Sequence, residues 1–242
     1  MKCKLTESDV LFYRGNGFIV IEDFLFEEEL GEWREAVTKR NGIKIPGQNV
    51  QVGMDDGINE DTEYFSKVFD RLINLWQTSG KVKEIMLDER IGKMAATLAG
   101  ADEIRIWHDQ ALFKNPWANP TSWHLDTPFW SFSDRNALSI WVALDDATLE
   151  NGCLYFIPGS HRKTTFENKG IGENMGGIFD VYPRFKNKRS VPSKIKAGSC
   201  SFHNGFTIHG AGTNMTNGYR RAMYYGAGGQ GMLCHRTNSD LR

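Results

Sequence analysis

The spacing of apolar positions changes character near residue 100. Before that point it is mainly helical. Thr6-Glu7-Ser8-Asp9 supplies capping side chains ahead of an apolar stretch that ends near Gly15, which predicts a first helix. Phe18-Ile19-Val20-Ile21 is a short unbroken apolar run of the kind that forms a buried strand. Residues 27–39 carry Leu30, Trp33 and Val37 at helical spacing. Two more helices are predicted over 65–76, with Leu72, Ile73 and Trp76 on one face, and over 89–98. The segment 41–63 between them is long, polar and rich in Gly, Asn and Asp, the composition of a functional loop or a disordered one.

After residue 100 the pattern shortens. Strands are predicted over 104–113, 121–126, 137–144, 153–157, 199–203, 206–210 and 220–225. Asn151-Gly152, Pro158-Gly159-Ser160 and Asn217-Gly218 are turn signals between them. Many short strands with this punctuation argue for a jelly-roll or a sandwich. Residues 161–196 form a second long insert, rich in Lys, Gly and Asn. The expected fold is therefore mainly β with flanking helices. The 242 residues fit one domain, with 1–100 as a helical N-terminal support and 101–226 as the β core.

Composition narrows the function classes. The 29 Lys+Arg nearly balance the 30 Asp+Glu, so no global charge favours nucleic acid or a membrane surface. The four cysteines are scattered without a C-x-x-C pair, which argues against a disulfide framework and for a reducing, cytoplasmic setting. The N-terminal residues hold no apolar core of a secretory leader, so none is expected. The expected partner is a small-molecule substrate, with no nucleic acid and no membrane.

The chemistry centres on Trp123-His124-Leu125-Asp126. On a strand, residues i and i+2 share a face, so His-x-Asp sets two metal-ligating side chains together. A second histidine completes a two-His-one-carboxylate set, the signature of non-haem Fe(II) oxygenases. His203 and His209 are both candidates, and spacing does not choose between them. The plainer reading of the pair is a structural histidine beside a solvated aspartate. Phe129, Trp130 and Phe132 nearby are either core or the dry wall of a pocket. His108 fits the core or the surroundings of the site, His161 a turn, and His235 an ordinary tail position. Gly226-Ala227-Gly228-Gly229-Gln230-Gly231 fits a dinucleotide-binding pattern literally. Only eleven residues follow it, too few for the helix and acidic residue such a site needs. The basic run 184–196 and the acidic run 55–63 read first as solvated loop faces.

Several motifs in order resemble the phytanoyl-CoA dioxygenase family of Fe(II)/2-oxoglutarate oxygenases. They are Asp109-Gln110 through Lys114-Asn115-Pro116, Trp123 to Asp126, Ile140 to Asp146, Asn151-Gly152-Cys153-Leu154, Ile157 to His161, and His209 followed by Arg220-Arg221-Ala222. Asn16-Gly17-Phe18-Ile19-Val20 also looks like the family. The resemblance implies a double-stranded β-helix, with His124, Asp126 and His209 as the iron ligands. It implies that Arg220, eleven residues after His209, holds the distal carboxylate of 2-oxoglutarate, with Gln110 and Trp141 lining the cosubstrate site. A guanidinium suits that role because it stays charged and grips a carboxylate with two N–H groups. Arg221, its strand neighbour, is expected to point the other way. The implied cofactors are Fe(II), 2-oxoglutarate and O2, and the implied reaction is oxidation of a small or medium metabolite, hydroxylation first, with release of succinate and CO2. Halogenating relatives lack the carboxylate ligand, so Asp126 favours oxygenation. Substrate contacts are expected from variable loops, with Phe129, Trp130 and Arg184 as candidates. Two rival readings are a jelly-roll that binds a small molecule without catalysis, and a cupin-like isomerase or hydrolase using another metal.

Overall fold

The computed structural model describes residues 1–38, 64, 67–229 and 233–234. In chain order the helices are α1 (Glu7–Asn16), α2 (Glu27–Thr38), α3 (Gly80–Met86), α4 (Glu89–Ala99) and the single turn α5 (Ile178–Val181). The strands are β1 (Phe18–Ile21), β2 (Asp70–Ile73), β3 (Ile104–Lys114), β4 (Thr121–His124), β5 (Phe132–Ser133), β6 (Leu138–Ala143), β7 (Leu154–Phe156), β8 (Val191–Ser193), β9 (Cys200–Asn204), β10 (His209–Ala211), β11 (Arg220–Gly229) and β12 (Leu233–Cys234). A major sheet runs β1-β9-β6-β11-β3-β2 and a minor sheet β4-β10-β7-β8, while β12 pairs with β5. Among the described residues all the strand ladders are antiparallel. The two sheets form the jelly-roll expected from the sequence.

Strand alternation gives the major sheet two different faces. Ile140 and Val142 of β6, Cys200 and Phe202 of β9, and Met223 and Tyr225 of β11 turn outward. There they pack with Trp33 and Val37 of α2 and with Ile91, Met94 and Leu98 of α4 in one buried cluster. The residues between them, Ser139 and Trp141, Ser201 and His203, Ala222 and Tyr224, turn inward and are all buried. Trp141, Ala222 and Tyr224 pack there with Phe18, Leu154, Phe156 and Ala211. The helical layer thus supplies apolar burial to the outer face, and the inner face is left to carry polar groups.

Local signals account for the helix ends. Thr6 and Asp9 form a reciprocal capping box on α1. Its C-cap is Gly17, at φ 83° in the left-handed region, and a Cβ there would collide with His161 and Thr207. Asp88 caps α4 by accepting from the Arg90 N–H at 2.8 Å.

Three sequence expectations need correction. The helix over 65–76 is absent among the described residues. β2 lies there as an edge strand beside β3, followed by a 3-10 turn at Leu75–Gln77. The apparent helical face is dispersed: Leu72 is buried in the outer cluster, while Trp76 is exposed. Tertiary contacts override the local spacing. Asp109 accepts from the Leu75 and Trp76 N–H groups at 3.0 and 3.1 Å, and Asn115 holds Asp70 at 3.0 Å. Helix α3, capped by Ser79, falls in a stretch that the spacing did not mark. β4 ends at His124, two residues before its predicted end. Asp126 has helical backbone angles (φ −81°, ψ −47°), so the shared strand face predicted for His124 and Asp126 does not exist. The insert 161–196 holds α5, a 3-10 turn and β8. The segment 41–63, the acidic run 55–63 and His235 lie outside the described residues.

One inward residue is a fully buried lysine. Lys114 donates from Nζ to the Asn119 and Val68 carbonyls at 2.6 and 3.3 Å. Burial, aided by the nearby Arg220 charge, pushes its amine down to about 6. A neutral amine has two N–H groups, and these two carbonyls can use both. From about pH 6 to the ordinary lysine value of about 10, the unfolded chain binds a proton at this position that the folded chain does not. Stability from this residue therefore rises with pH across that window. Urea unfolding at pH 6, 7.5 and 9 is expected to show wild type gaining stability with pH relative to Lys114→Met. Parallel pH dependence in the two proteins would refute the assignment.

Candidate active site

The minor sheet brings the two predicted histidines together. β10 pairs antiparallel with β4, and His209 sits directly opposite His124 in the register. Their rings lie 4.2 Å apart between centroids. Asp126 reaches them from the turn after β4, where its own N–H and that of Thr127 donate to the Gly205 carbonyl at 2.9 and 3.1 Å. Gly205 has no room for a side chain: a Cβ would collide with Thr127 and press on the Trp130 ring. Asp126 Oδ1 lies 3.5 Å from His124 Nε2 and 3.4 Å from His209 Nε2. Among the described residues, His124, Asp126 and His209 form a buried group whose ligand atoms all lie within 4.8 Å of one another.

Hydrogen bonds separate His209 from His203, which the sequence left as alternatives. His124 Nδ1 lies 2.8 Å from the Ser122 carbonyl and His209 Nδ1 lies 3.0 Å from the Thr207 carbonyl. A carbonyl only accepts, so each Nδ1 carries a proton, and in the neutral tautomer each Nε2 then holds the lone pair. This is the state a metal-ligating imidazole requires. His203 is the opposite case. Its Nε2 lies 3.0 Å from Asp126 Oδ2, an acceptor, so it carries a proton there. Its Nδ1 has no partner among the described residues. Ser139 Oγ also donates to Oδ2, at 2.5 Å, and Tyr224 lies 3.0 Å behind Ser139.

Burial alone would raise the Asp126 carboxyl, but His209, His124 and His203 together hold it well below the usual carboxylate range. Burial pushes His209 down to about 3, against the pull of Asp126. At neutral pH the cluster is one carboxylate facing a neutral His209 imidazole. A carboxylate oxygen and two imidazole nitrogens suit a divalent first-row metal such as iron(II).

A second polar feature lies on the major sheet. Arg220 and Arg221 point to opposite sides of β11, as alternation predicts. Arg221 is fully committed: its Nε and Nη2 grip Asp145 at 2.8 and 2.7 Å. Arg220 is 3% exposed, and its Nε and Nη1 have no hydrogen-bond partner among the described residues. Burial lowers its guanidinium to about 10, so it remains charged at neutral pH. Its guanidinium carbon lies 5.0 Å from the Trp141 ring centre, a cation–π contact. A buried charge with two unused donor nitrogens is costly unless a ligand carboxylate completes it.

The remaining predicted positions are spread around these features. Gln110 and His108 share the inward face of β3, with Gln110 Nε2 2.7 Å from His108 Nε2. Burial pushes His108 down to about 4. Phe129 meets the His124 ring edge-on at 6.3 Å. Trp130 is buried and stacks on Phe132 at 5.3 Å. Arg184 is exposed on the 3-10 turn Pro183–Phe185. Ser139 and Tyr224 went unnoticed in the sequence. One signal pointed to them: Ser139 is a polar residue within an otherwise apolar strand, and Tyr224 is four residues from Arg220 on the same strand face.

Comparison with known proteins agrees with this geometry. A family model described as phytanoyl-CoA dioxygenase matches residues 13–222. Peroxisomal phytanoyl-CoA dioxygenase of Mus musculus is 26% identical over 98% of this chain and 70% of its own length. Methylphosphonate hydroxylase of Gimesia maris is 26% identical over 100% of this chain and 88% of its own. Among solved structures, the non-heme alpha-ketoglutarate-dependent carbocyclase SnoK of nogalamycin biosynthesis superposes with a TM-score of 0.76. It is 25% identical and covers 98% of this chain and 88% of that one. The epimerase SnoN, solved with Fe3+, alpha-ketoglutarate and nogalamycin RO, superposes with a TM-score of 0.73 at 25% identity, over 97% of this chain and 88% of that one.

If Arg220 holds a carboxylate, its removal is expected to weaken 2-oxoglutarate selectively. Truncating one partner of a buried charged pair costs about 2–5 kcal/mol, or roughly 30-fold or more in affinity. Calorimetric titration of metal-loaded Arg220→Met with 2-oxoglutarate should show that loss, with metal affinity retained. Equal 2-oxoglutarate affinity in the variant would remove Arg220 from the site.

Proposed function

Since the chain belongs to the phytanoyl-CoA dioxygenase family, we propose that its buried His-Asp-His cluster is the iron centre and its unpartnered arginine the cosubstrate anchor. The protein is a 2-oxoglutarate-dependent non-haem iron dioxygenase that acts on a small molecule. No described helix is long and apolar enough to cross a membrane. A cytoplasmic setting fits the free thiols of Cys3, Cys153 and Cys200.

The observation that carries the residue assignment is the protonation pattern. His124 and His209 each spend Nδ1–H on a backbone carbonyl and turn a lone pair toward Asp126 Oδ1. In this reading the three side chains would hold Fe(II). The iron, once loaded, supplies oxidation of a substrate C–H bond coupled to conversion of 2-oxoglutarate and O2 into succinate and CO2. The chain's own residues contribute positioning. Arg220 orients the far carboxylate of the cosubstrate, and Trp141 packs beside that guanidinium and limits its movement. Gln110 is placed to donate an amide hydrogen from β3, with His108 as its neighbour. Phe129, against the His124 ring, supplies apolar wall that keeps water from the reacting atoms. Asp126 retains the carboxylate ligand, which favours oxygen transfer over halogenation. Trp130 and Arg184 are weaker candidates for substrate contact, one buried behind the site and the other on an exposed turn.

Succinate release from 2-oxoglutarate, followed with Fe(II) and O2 present, tests the ligand set. His124→Ala and Asp126→Ala are each expected to lose it to background. Turnover like wild type in either variant would refute the ligand set. Anaerobic addition of Fe(II) and 2-oxoglutarate to wild type should give a weak visible charge-transfer band, and no band would argue for a binding protein without catalysis.

A further inference from the structure

The two oxygens of Asp126 stand in different surroundings. Oδ1 faces the bare Nε2 atoms of His124 and His209. Oδ2 points away from them and is occupied twice, by Ser139 Oγ at 2.5 Å and His203 Nε2 at 3.0 Å. Both donors come from the major sheet. Ser139 lies on β6 and His203 on β9, directly opposite each other in the ladder. The ligand histidines come from the minor sheet. Asp126 is thus gripped from one sheet and presented to the other.

The donors behind Oδ2 form a directed chain. Ser139 Oγ donates its hydroxyl hydrogen to Oδ2. Ser139 is then free to accept, and the Tyr224 hydroxyl, 3.0 Å away, is its donor. Tyr224 and Ser139 are inward residues of neighbouring strands.

We propose that His203 and Ser139, backed by Tyr224, are positioning residues that restrict Asp126 to one metal-facing oxygen. The consequence concerns coordination number. A carboxylate that binds through both oxygens occupies two positions on the metal. With Oδ2 held by two hydrogen bonds, Asp126 supplies one donor atom. An octahedral ion held by two histidines and one oxygen keeps three positions, enough for a two-point cosubstrate and O2. His203 is thereby given a role distinct from that of His209, although both imidazoles lie beside the same carboxylate. This inference rests on the ligand set proposed above.

Anaerobic titration of the full chain with Co(II) and with Fe(II) tests it. Partners of this kind commonly contribute tenfold to a hundredfold in metal affinity. His203→Phe and Ser139→Ala are each expected to weaken metal binding by about 10- to 100-fold. Their Co(II) visible spectra should shift as Oδ2 becomes available to the ion. His203→Gln keeps an N–H donor near the position of Nε2 and is expected to restore wild-type affinity and spectrum. Tyr224→Phe should weaken binding less than Ser139→Ala, because Ser139 remains to donate. Circular dichroism of the metal-free variants separates local effects from unfolding. Should His203→Phe fail to fold, Ser139→Ala removes one oxygen atom and carries the same test. Wild-type affinity and an unchanged Co(II) spectrum in Ser139→Ala and His203→Phe would overturn the proposal while leaving the ligand set intact. A wild-type chain that takes up neither metal would overturn both.

Discussion

Everything at the centre of this protein follows from keeping one carboxylate ionised inside a barrel. Asp126 is buried, and burial by itself drives a carboxyl toward its neutral form. The surrounding imidazoles and the Ser139 hydroxyl reverse that tendency. The donors that hold its Oδ2, Ser139 and His203, come from neighbouring strands of the major sheet, while its Oδ1 faces the two histidines of the minor sheet. The pairing of β4 with β10 sets His124 opposite His209, and the pairing of β6 with β9 sets Ser139 opposite His203. The jelly-roll brings these two pairs face to face.

Such a polar interior needs stabilisation from elsewhere. The major sheet buries its outer face against α2 and α4, where Trp33, Ile91, Met94, Ile140, Phe202 and Met223 pack in one apolar cluster. Its inner face carries Ser139, Ser201, His203, Lys114 and Arg220, all buried. Hydrophobic stabilisation and chemistry are thus assigned to opposite sides of the same strands. Arg220 and Arg221 show the division within two residues. The inward one holds unused donors and the outward one is bound to Asp145.

Much of the fold was legible because alternation and helical spacing are local properties. The strands of the core were placed within a few residues, and helices α1, α2 and α4 were found from their caps and apolar faces. Failures occurred where a distant group decided the outcome. Leu72, Ile73 and Trp76 satisfied a helical spacing, yet edge pairing with β3 and the Asp109 carboxylate, which holds two backbone N–H groups, impose a strand and a turn. β4 was read two residues too long because nothing near Asp126 announces that Gly205 will accept its N–H.

By itself the sequence supplied the candidate groups in order, His124 and Asp126 from their spacing and His209 and Arg220 through a family resemblance, with a β-rich frame to carry them. It also determined that Arg220 and Arg221 part to opposite faces, because side chains alternate along any strand. Tertiary structure alone decided which histidine offers a lone pair and which a proton. That choice depends on what each ring nitrogen meets: the Ser122 and Thr207 carbonyls for His124 and His209, and the Asp126 carboxylate for His203. His203 and Asp126 are far apart in the chain and come into contact only when the two sheets close.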